Sequence, residues 1–140
     1  MKNPSVRRSL GLATAMLGFL ALATPQASAA EVNWKAVDSD PTWDCTTYQQ
    51  HKGSRNVFFK VCGVHNSSGG HQTILVVQNK ASVAIAIEGE VITNYGGDVD
   101  CAPSTLQPGY TRGCYGPTKI ASGLLTMNAR LNFNGIDAYI

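Results

Sequence analysis

Residues 82–93, Ser82-Val83-Ala84-Ile85-Ala86-Ile87-Glu88-Gly89-Glu90-Val91-Ile92-Thr93, decide the fold class. Val83, Ile85, Ile87 and Val91 fall on one side of a period of two, and Ala84, Ala86, Glu88 and Glu90 on the other. An extended chain sends successive side chains to opposite faces, so this alternation predicts a strand with one buried and one wet face. Around it, short stretches rich in Val, Ile, Thr and aromatic residues are cut by Gly, Pro, Asn and Ser. They predict strands at 32–37, 43–50, 56–65 and 71–79, then at 99–101, from 110, and at 119–127, 130–133 and 136–140. Asn66-Ser67-Ser68-Gly69-Gly70 joins two of them as a hairpin, Asn94-Tyr95-Gly96-Gly97 is a second turn, Pro108-Gly109 is a stop, and Asn128-Ala129 separates two late strands. Strands at about ten-residue spacing without helical periodicity indicate an all-β domain, an antiparallel β-sandwich in preference to a small barrel. No repeat or linker composition divides residues 31–140, so one domain is expected there.

Residues 1–30 read as a secretory signal peptide. Lys2, Arg7 and Arg8 make a positive start, residues 10–23 are an apolar run, Pro25 breaks it, and Ala27-Ser28-Ala29-Ala30 offers cleavage after Ala29 or Ala30. The apolar run as a helix reaches about 21 Å, short of the roughly 30 Å of a bilayer core, so cleavage is expected rather than anchoring. Ser9-Leu10-Gly11-Leu12 after Arg7-Arg8 fits a twin-arginine signal poorly. The signal also holds the excess charge. The chain has 11 Lys+Arg and 9 Asp+Glu, net +2; without Lys2, Arg7 and Arg8 eight bases face nine acids, net −1. A near-neutral chain lacks the basic field that phosphate backbones and anionic lipid demand, so nucleic acid and membrane are not expected partners. The oligomeric state is not fixed by sequence.

The stretch from Val77-Gln78-Asn79 through residues 82–91 to Leu106-Gln107-Pro108-Gly109 resembles the second half of immunoglobulin-like modules in secreted bacterial proteins. There an Asn-rich turn precedes a long edge strand, and an L-x-P-G turn leads into a closing strand. The resemblance covers about a quarter of the chain and implies an immunoglobulin-like sandwich, a fold that hosts many functions. Cys45, Tyr48-Gln49 and Cys62 are similar in spacing to the first loop of small exported amylase inhibitors of the tendamistat type, which are also two-disulfide sandwiches. The Trp-Arg-Tyr triplet that carries inhibition in that family is missing between Cys45 and Cys62, so the activity is not transferred.

Four cysteines in an exported domain imply two disulfides. Pairing Cys45 with Cys62 and Cys101 with Cys114 closes loops of 17 and 13 residues, each bracketing two adjacent predicted strands. Each bridge is worth about 3 kcal/mol in the chain-entropy picture. Pairing Cys45 with Cys101 would imitate the inter-sheet bridge of an immunoglobulin domain, but Trp34 and Trp43 both precede Cys45, whereas that bridge wants a Trp between its cysteines. The local pairing is expected. No C-x-x-C spacing suggests zinc.

The chain offers little for catalysis. No G-x-S-x-G nucleophile turn occurs. His51, His65 and His71 fall at or beside turns; His65 and His71 flank the 66–70 turn and are expected to be exposed hairpin ends, since two ligands without a nearby acid or thiolate make a weak site. Glu88 and Glu90, about 7 Å apart on one strand face, read as a solvated edge that resists aggregation rather than as glycosidase carboxylates. Asp38, Asp40 and Asp44 are interrupted by Pro41 and Trp43 and read as an acidic turn, not a calcium loop. Asn66-Ser67-Ser68 matches a glycosylation acceptor, expected to be unused behind a bacterial-type signal. No catalytic residue, metal or cofactor is assigned, and no enzyme is expected.

Two features suit binding instead. Trp34, Trp43 and Tyr48 concentrate aromatic surface near the N-terminus and would stack on sugar faces, unless a tryptophan fills the core. Residues 108–115 place Tyr110, Arg112 and Tyr115, types enriched at interaction hot spots, on a disulfide-tied segment that reads either as a docking loop or as a plain turn. The expectation is a secreted, extracellular, non-enzymatic binding protein whose partner is a protein or a polysaccharide. Its most concrete form is an inhibitor of an extracellular hydrolase; the alternative is a carbohydrate- or cell-wall-binding module.

Overall fold

A computed structural model describes residues 29–37 and 42–140; the expected signal segment 1–28 and the residues Asp38, Asp40 and Pro41 of the acidic turn lie outside them. The described residues form twelve strands in order: β1 (Ala30–Val32), β2 (Lys35–Ala36), β3 (Asp44–Cys45), β4 (Gln49–Gln50), β5 (Val57–His65), β6 (Gly70–Asn79), β7 (Ile85–Thr93), β8 (Val99–Leu106), β9 (Thr111–Tyr115), β10 (Lys119–Ile120), β11 (Met127–Phe133) and β12 (Ile136–Tyr139). They form two sheets. A five-stranded sheet runs β1-β8-β7-β11-β12, and a seven-stranded sheet runs β2-β9-β6-β5-β3, with β10 on β6 and β4 on β5. All pairings are antiparallel except β1 on β8. Among the described residues no helix is long and apolar enough to cross a membrane.

Alternation builds the core. Val57, Phe59, Val61, Leu75 and Val77 of the seven-stranded sheet meet Ile85, Ile87, Val91, Leu131 and Phe133 of the five-stranded sheet. Glu88 and Glu90 point away from it, as the period of two requires. Val83 is 62% exposed because β7 begins only at Ile85. β7 is not an edge. It lies between β8 and β11, so Glu88 and Glu90 are not a solvated border and instead share Arg130 of β11.

Several expected strands divide or extend. The 32–37 stretch crosses from one sheet to the other between β1 and β2, and the 43–50 stretch becomes the two short pieces β3 and β4 against β5. The 99–101 strand runs on to Leu106 through Pro103. Pairing passes from Ile87↔Ser104 to Gly89↔Cys101, leaving Ala102 and Pro103 opposite Glu88 alone; a residue without an N–H fits this bulge, where no ladder bond is asked of it. Asn128-Ala129 is no boundary: Asn128 faces outward and Ala129 is fully buried within β11. The break comes earlier, at residues 121–126. Asn134-Gly135 makes the β11–β12 hairpin with positive φ at both residues, 52° and 74°.

Both expected disulfides form. Cys45 and Cys62 are directly opposite on β3 and β5, 4.0 Å apart at Cα. Cys101 and Cys114 do not bracket neighbours in one sheet: β8 belongs to the five-stranded sheet and β9 to the seven-stranded sheet, so this bridge crosses the core. His51, beside a turn, is buried. It is 1% accessible and packs against Phe59 and Phe133.

Candidate functional site

The seven-stranded sheet has a second apolar cluster on the face turned away from the core, where Cys62, Ile74 and Val76 are covered by Val37, Trp43, Cys45, Val64 and Tyr115. Its register lays out three rows. Cys45, Cys62, Ile74 and Tyr115 are cross-strand partners; the next row on the same face is Lys60, Val76, Gly113 and Lys35; the next is Gln50, Phe58, Gln78 and Thr111. Trp43 meets Tyr115 edge to face with centroids 6.3 Å apart. Three lysines lie over rings: Lys35 Nζ is 5.8 Å from the Tyr115 centroid, Lys60 is 4.7 Å from Tyr48, and Lys80 is 4.9 Å from Phe58. Such contacts hold an ammonium group in place while its stem covers apolar surface, for about 0.5–1 kcal/mol each at exposed sites. Burial pushes the Tyr48 and Tyr115 hydroxyls above the ordinary tyrosine range, so both are neutral donors at neutral pH.

The opposite exterior has the opposite charge. Glu31, Asp100 and Glu90 form one row across β1, β8 and β7, and Glu88 and Asp137 share that face. Arg130 bridges three of them: its Nε donates to Glu90 at 3.3 Å, and its Nη1 donates to Asp137 at 2.9 Å and lies 3.9 Å from Glu88, while the Lys52 charge also attracts Asp137. Partial burial works against the Arg130 charge, but hydrogen bonds and attraction from Asp137 and Glu90 prevail and hold its pKa above the usual value. Of the remaining described acids, Asp98 accepts from the Thr93 N–H and hydroxyl, and Asp44 alternates with Cys45 to face a cleft. No described carboxylate therefore stands on the lysine-bearing face. Among the described residues, the pairing of strands produces this segregation.

The expected binding residues separate into three places. Trp34 sits where the chain crosses between sheets, donates its indole N–H to the Ala102 carbonyl at 2.8 Å and packs on the main core, so it does not share a platform with Trp43 and Tyr48. Trp43, Tyr48 and Tyr115 are together on the outer face. Tyr110 and Arg112 lie at the other end of β9, with the guanidinium 4.7 Å over the Tyr110 ring and Tyr110 49% exposed. The tied segment is thus mostly strand. Only residues 107–110 turn, with Gly109 at φ 76° and the Tyr110 N–H donating to the Gln107 carbonyl. Buried Asn79 holds this turn and the preceding crossover: its amide donates to the Val83 and Leu106 carbonyls, and its oxygen accepts from the Ala81 N–H. Phe58, Lys35, Lys60 and Lys80 escaped the sequence reading. The alternation Phe58, Lys60, Cys62, Val64 along β5 was the available signal.

At one end of the sandwich a cleft of about 220 Å³ is lined by Asp44, Gly63, His65, His71, Tyr95 and Met127, among others. The Tyr95 hydroxyl is 2.6 Å from that of Thr73, and its ring is 6.4 Å from His71. Asn66 orders the adjoining turn through its side-chain oxygen, which accepts from the Ser68 and Gly70 N–H groups. No protein-family model matches this chain, and no curated protein or solved structure does either.

Proposed function

We propose that the protein is an exported, non-enzymatic binding module of immunoglobulin-like type that holds an extracellular polysaccharide on the outer face of its seven-stranded sheet. The observation that carries this reading is the interleaving of Trp43, Tyr115, Tyr48 and Phe58 with Lys35, Lys60 and Lys80 across one sheet face. Aromatic rings offer apolar faces to pyranose C–H groups, and positioned ammonium groups donate to hydroxyl or carboxylate oxygens. The strand order supports the fold type. Taking β5, β6, β7, β8, β9, β11 and β12 as seven successive strands, the sheets read 5-2-1 and 4-3-6-7, an immunoglobulin-like arrangement with the fourth strand beside the third. Two disulfides support a site of action outside the cytoplasm. A second reading is favoured by exposed Tyr110, stacked under half-buried Arg112 at the 107–110 turn: docking to an extracellular protein, such as a hydrolase that it inhibits.

One experiment separates them. Protein is pelleted with cellulose, chitin, peptidoglycan and a uronic-acid gel, alongside a Tyr48→Ala, Lys60→Ala variant and a Tyr110→Ala, Arg112→Ala variant. The face reading expects retention on at least one polymer, lowered at least tenfold by the first pair and unchanged by the second. No depletion of the unaltered protein by any polymer overturns it.

A further inference from the structure

We propose that His65 and His71 form an open two-imidazole site for a borderline divalent cation, Zn²⁺ or Cu²⁺, at the mouth of the cleft. This does not depend on the polysaccharide reading, since the cleft and the lysine-bearing face are different surfaces.

The local backbone sets the pair. His65 and His71 are directly opposite in the β5–β6 ladder. In the next position toward the turn, the Asn66 N–H donates to the Gly70 carbonyl at 3.0 Å, while the Gly70 N–H is taken by the Asn66 side chain at 2.8 Å. Asn66 and Gly70 therefore occupy a hydrogen-bonded position, and alternation makes His65 and His71 a non-hydrogen-bonded pair. Side chains come closest in such pairs, with Cα atoms about 4.5 Å apart. The two rings are 6.2 Å apart at their centroids and tilted by 31°. With metal–nitrogen bonds of about 2.0–2.1 Å and tetrahedral angles, two imidazoles on one ion have centroids roughly 5 Å apart. His65 is exposed and His71 half-buried, so small χ rotations close that difference without disturbing the core.

The surroundings suit a cation that retains exchangeable positions. Asp44 pairs with Gly63, two residues before His65 on the same face of β5, and brings a carboxylate to the cleft; Lys119, opposite His71 on β10, is the opposing charge. The described residues bring together no preformed set of three His, Cys, Asp or Glu donors. Two protein nitrogens would leave the other positions to water or to a donor from a bound molecule, and imidazole favours zinc and copper over magnesium or calcium. The third histidine, His51, is buried with both ring nitrogens engaged, so imidazole binding of added metal reports on this pair alone.

The test uses tag-free protein, titrated calorimetrically with ZnCl₂ and, separately, with CuCl₂ followed by electron paramagnetic resonance. One ion per chain is expected, with hyperfine coupling from imidazole nitrogen in the copper spectrum. His65→Ala and His71→Ala each should weaken affinity at least tenfold, Asp44→Asn a few-fold, with circular dichroism unchanged. Unchanged affinity in either folded histidine variant, or no saturation of the unaltered protein by millimolar metal, overturns the proposal. His65→Ala suffices if His71→Ala fails to fold, because His65 is exposed.

Discussion

Between Phe59 and Phe133, the imidazole of His51 lies with ring centroids 6.0 and 5.6 Å from theirs, closing one end of the core. Its Nδ1 accepts the Gly53 N–H at 3.0 Å, which assigns the ring proton to Nε2, the donor to the Leu131 carbonyl at 3.2 Å. The imidazole thus fills volume and ties the 51–54 turn to β11. His51→Ala leaves the buried Leu131 carbonyl and the Gly53 N–H without their imidazole partner and opens a cavity. We expect a loss of about 2–4 kcal/mol, read as a lower midpoint in urea denaturation with the slope preserved. In sequence, His51 before Lys52-Gly53 has the look of an ordinary turn residue. What buries it is Phe133, eighty-two positions later. Asn79 was similarly legible only as a turn former, although its three side-chain bonds organise two crossovers at once.

Gly89 shows how an element is shaped by its neighbours. It follows the β7–β8 bulge, and a Cβ built on it would lie 2.8 Å from the Arg130 carbonyl oxygen and 2.8 Å from Leu75 Cδ2. One obstacle is backbone on the adjacent strand and the other is core on the facing sheet. Neither yields cheaply. Gly89→Ala should therefore destabilise by about 1–3 kcal/mol, through overpacking, despite alanine's smaller loss of backbone entropy on folding. Calorimetry should show a lower melting temperature, and a melting temperature equal to the parent's would contradict this account. The alternation of 82–93 identifies β7 as a strand, yet alternation is the same for a central strand and an edge strand. Its central place follows from pairing with β8 and β11, whose positions in the sheet no local pattern encodes.

Among the described residues, Glu31, Glu88, Glu90, Asp100 and Asp137 lie outside the five-stranded sheet and Lys35, Lys60 and Lys80 outside the other. Asp137 gives this arrangement a measurable pH dependence. Hydrogen bonds from Asn132 and then from Arg130 hold its carboxyl below its ordinary 3.8. A carboxyl depressed in the folded state stabilises the fold above the unfolded value of about 3.9, and that contribution disappears as pH falls through the lower folded value. Denaturation midpoints measured from pH 6 down to pH 2 should fall less steeply below about pH 4 in Asp137→Asn; an identical profile would remove Asp137 from the account. The sequence by itself determined the all-β class, most turns and the disulfide pairing, because a period of two, a Gly or Asn in a turn and a short loop between cysteines are local properties of a chain. Tertiary structure decided that Cys101 and Cys114 cross the core, that Trp34 is packed while Trp43 joins Tyr115, and that His65 meets His71 beside a cleft. It also decided that Lys35, Lys60 and Lys80 share a face. Each depends on which strands lie side by side, and burial of apolar surface between residues far apart in sequence fixes that choice.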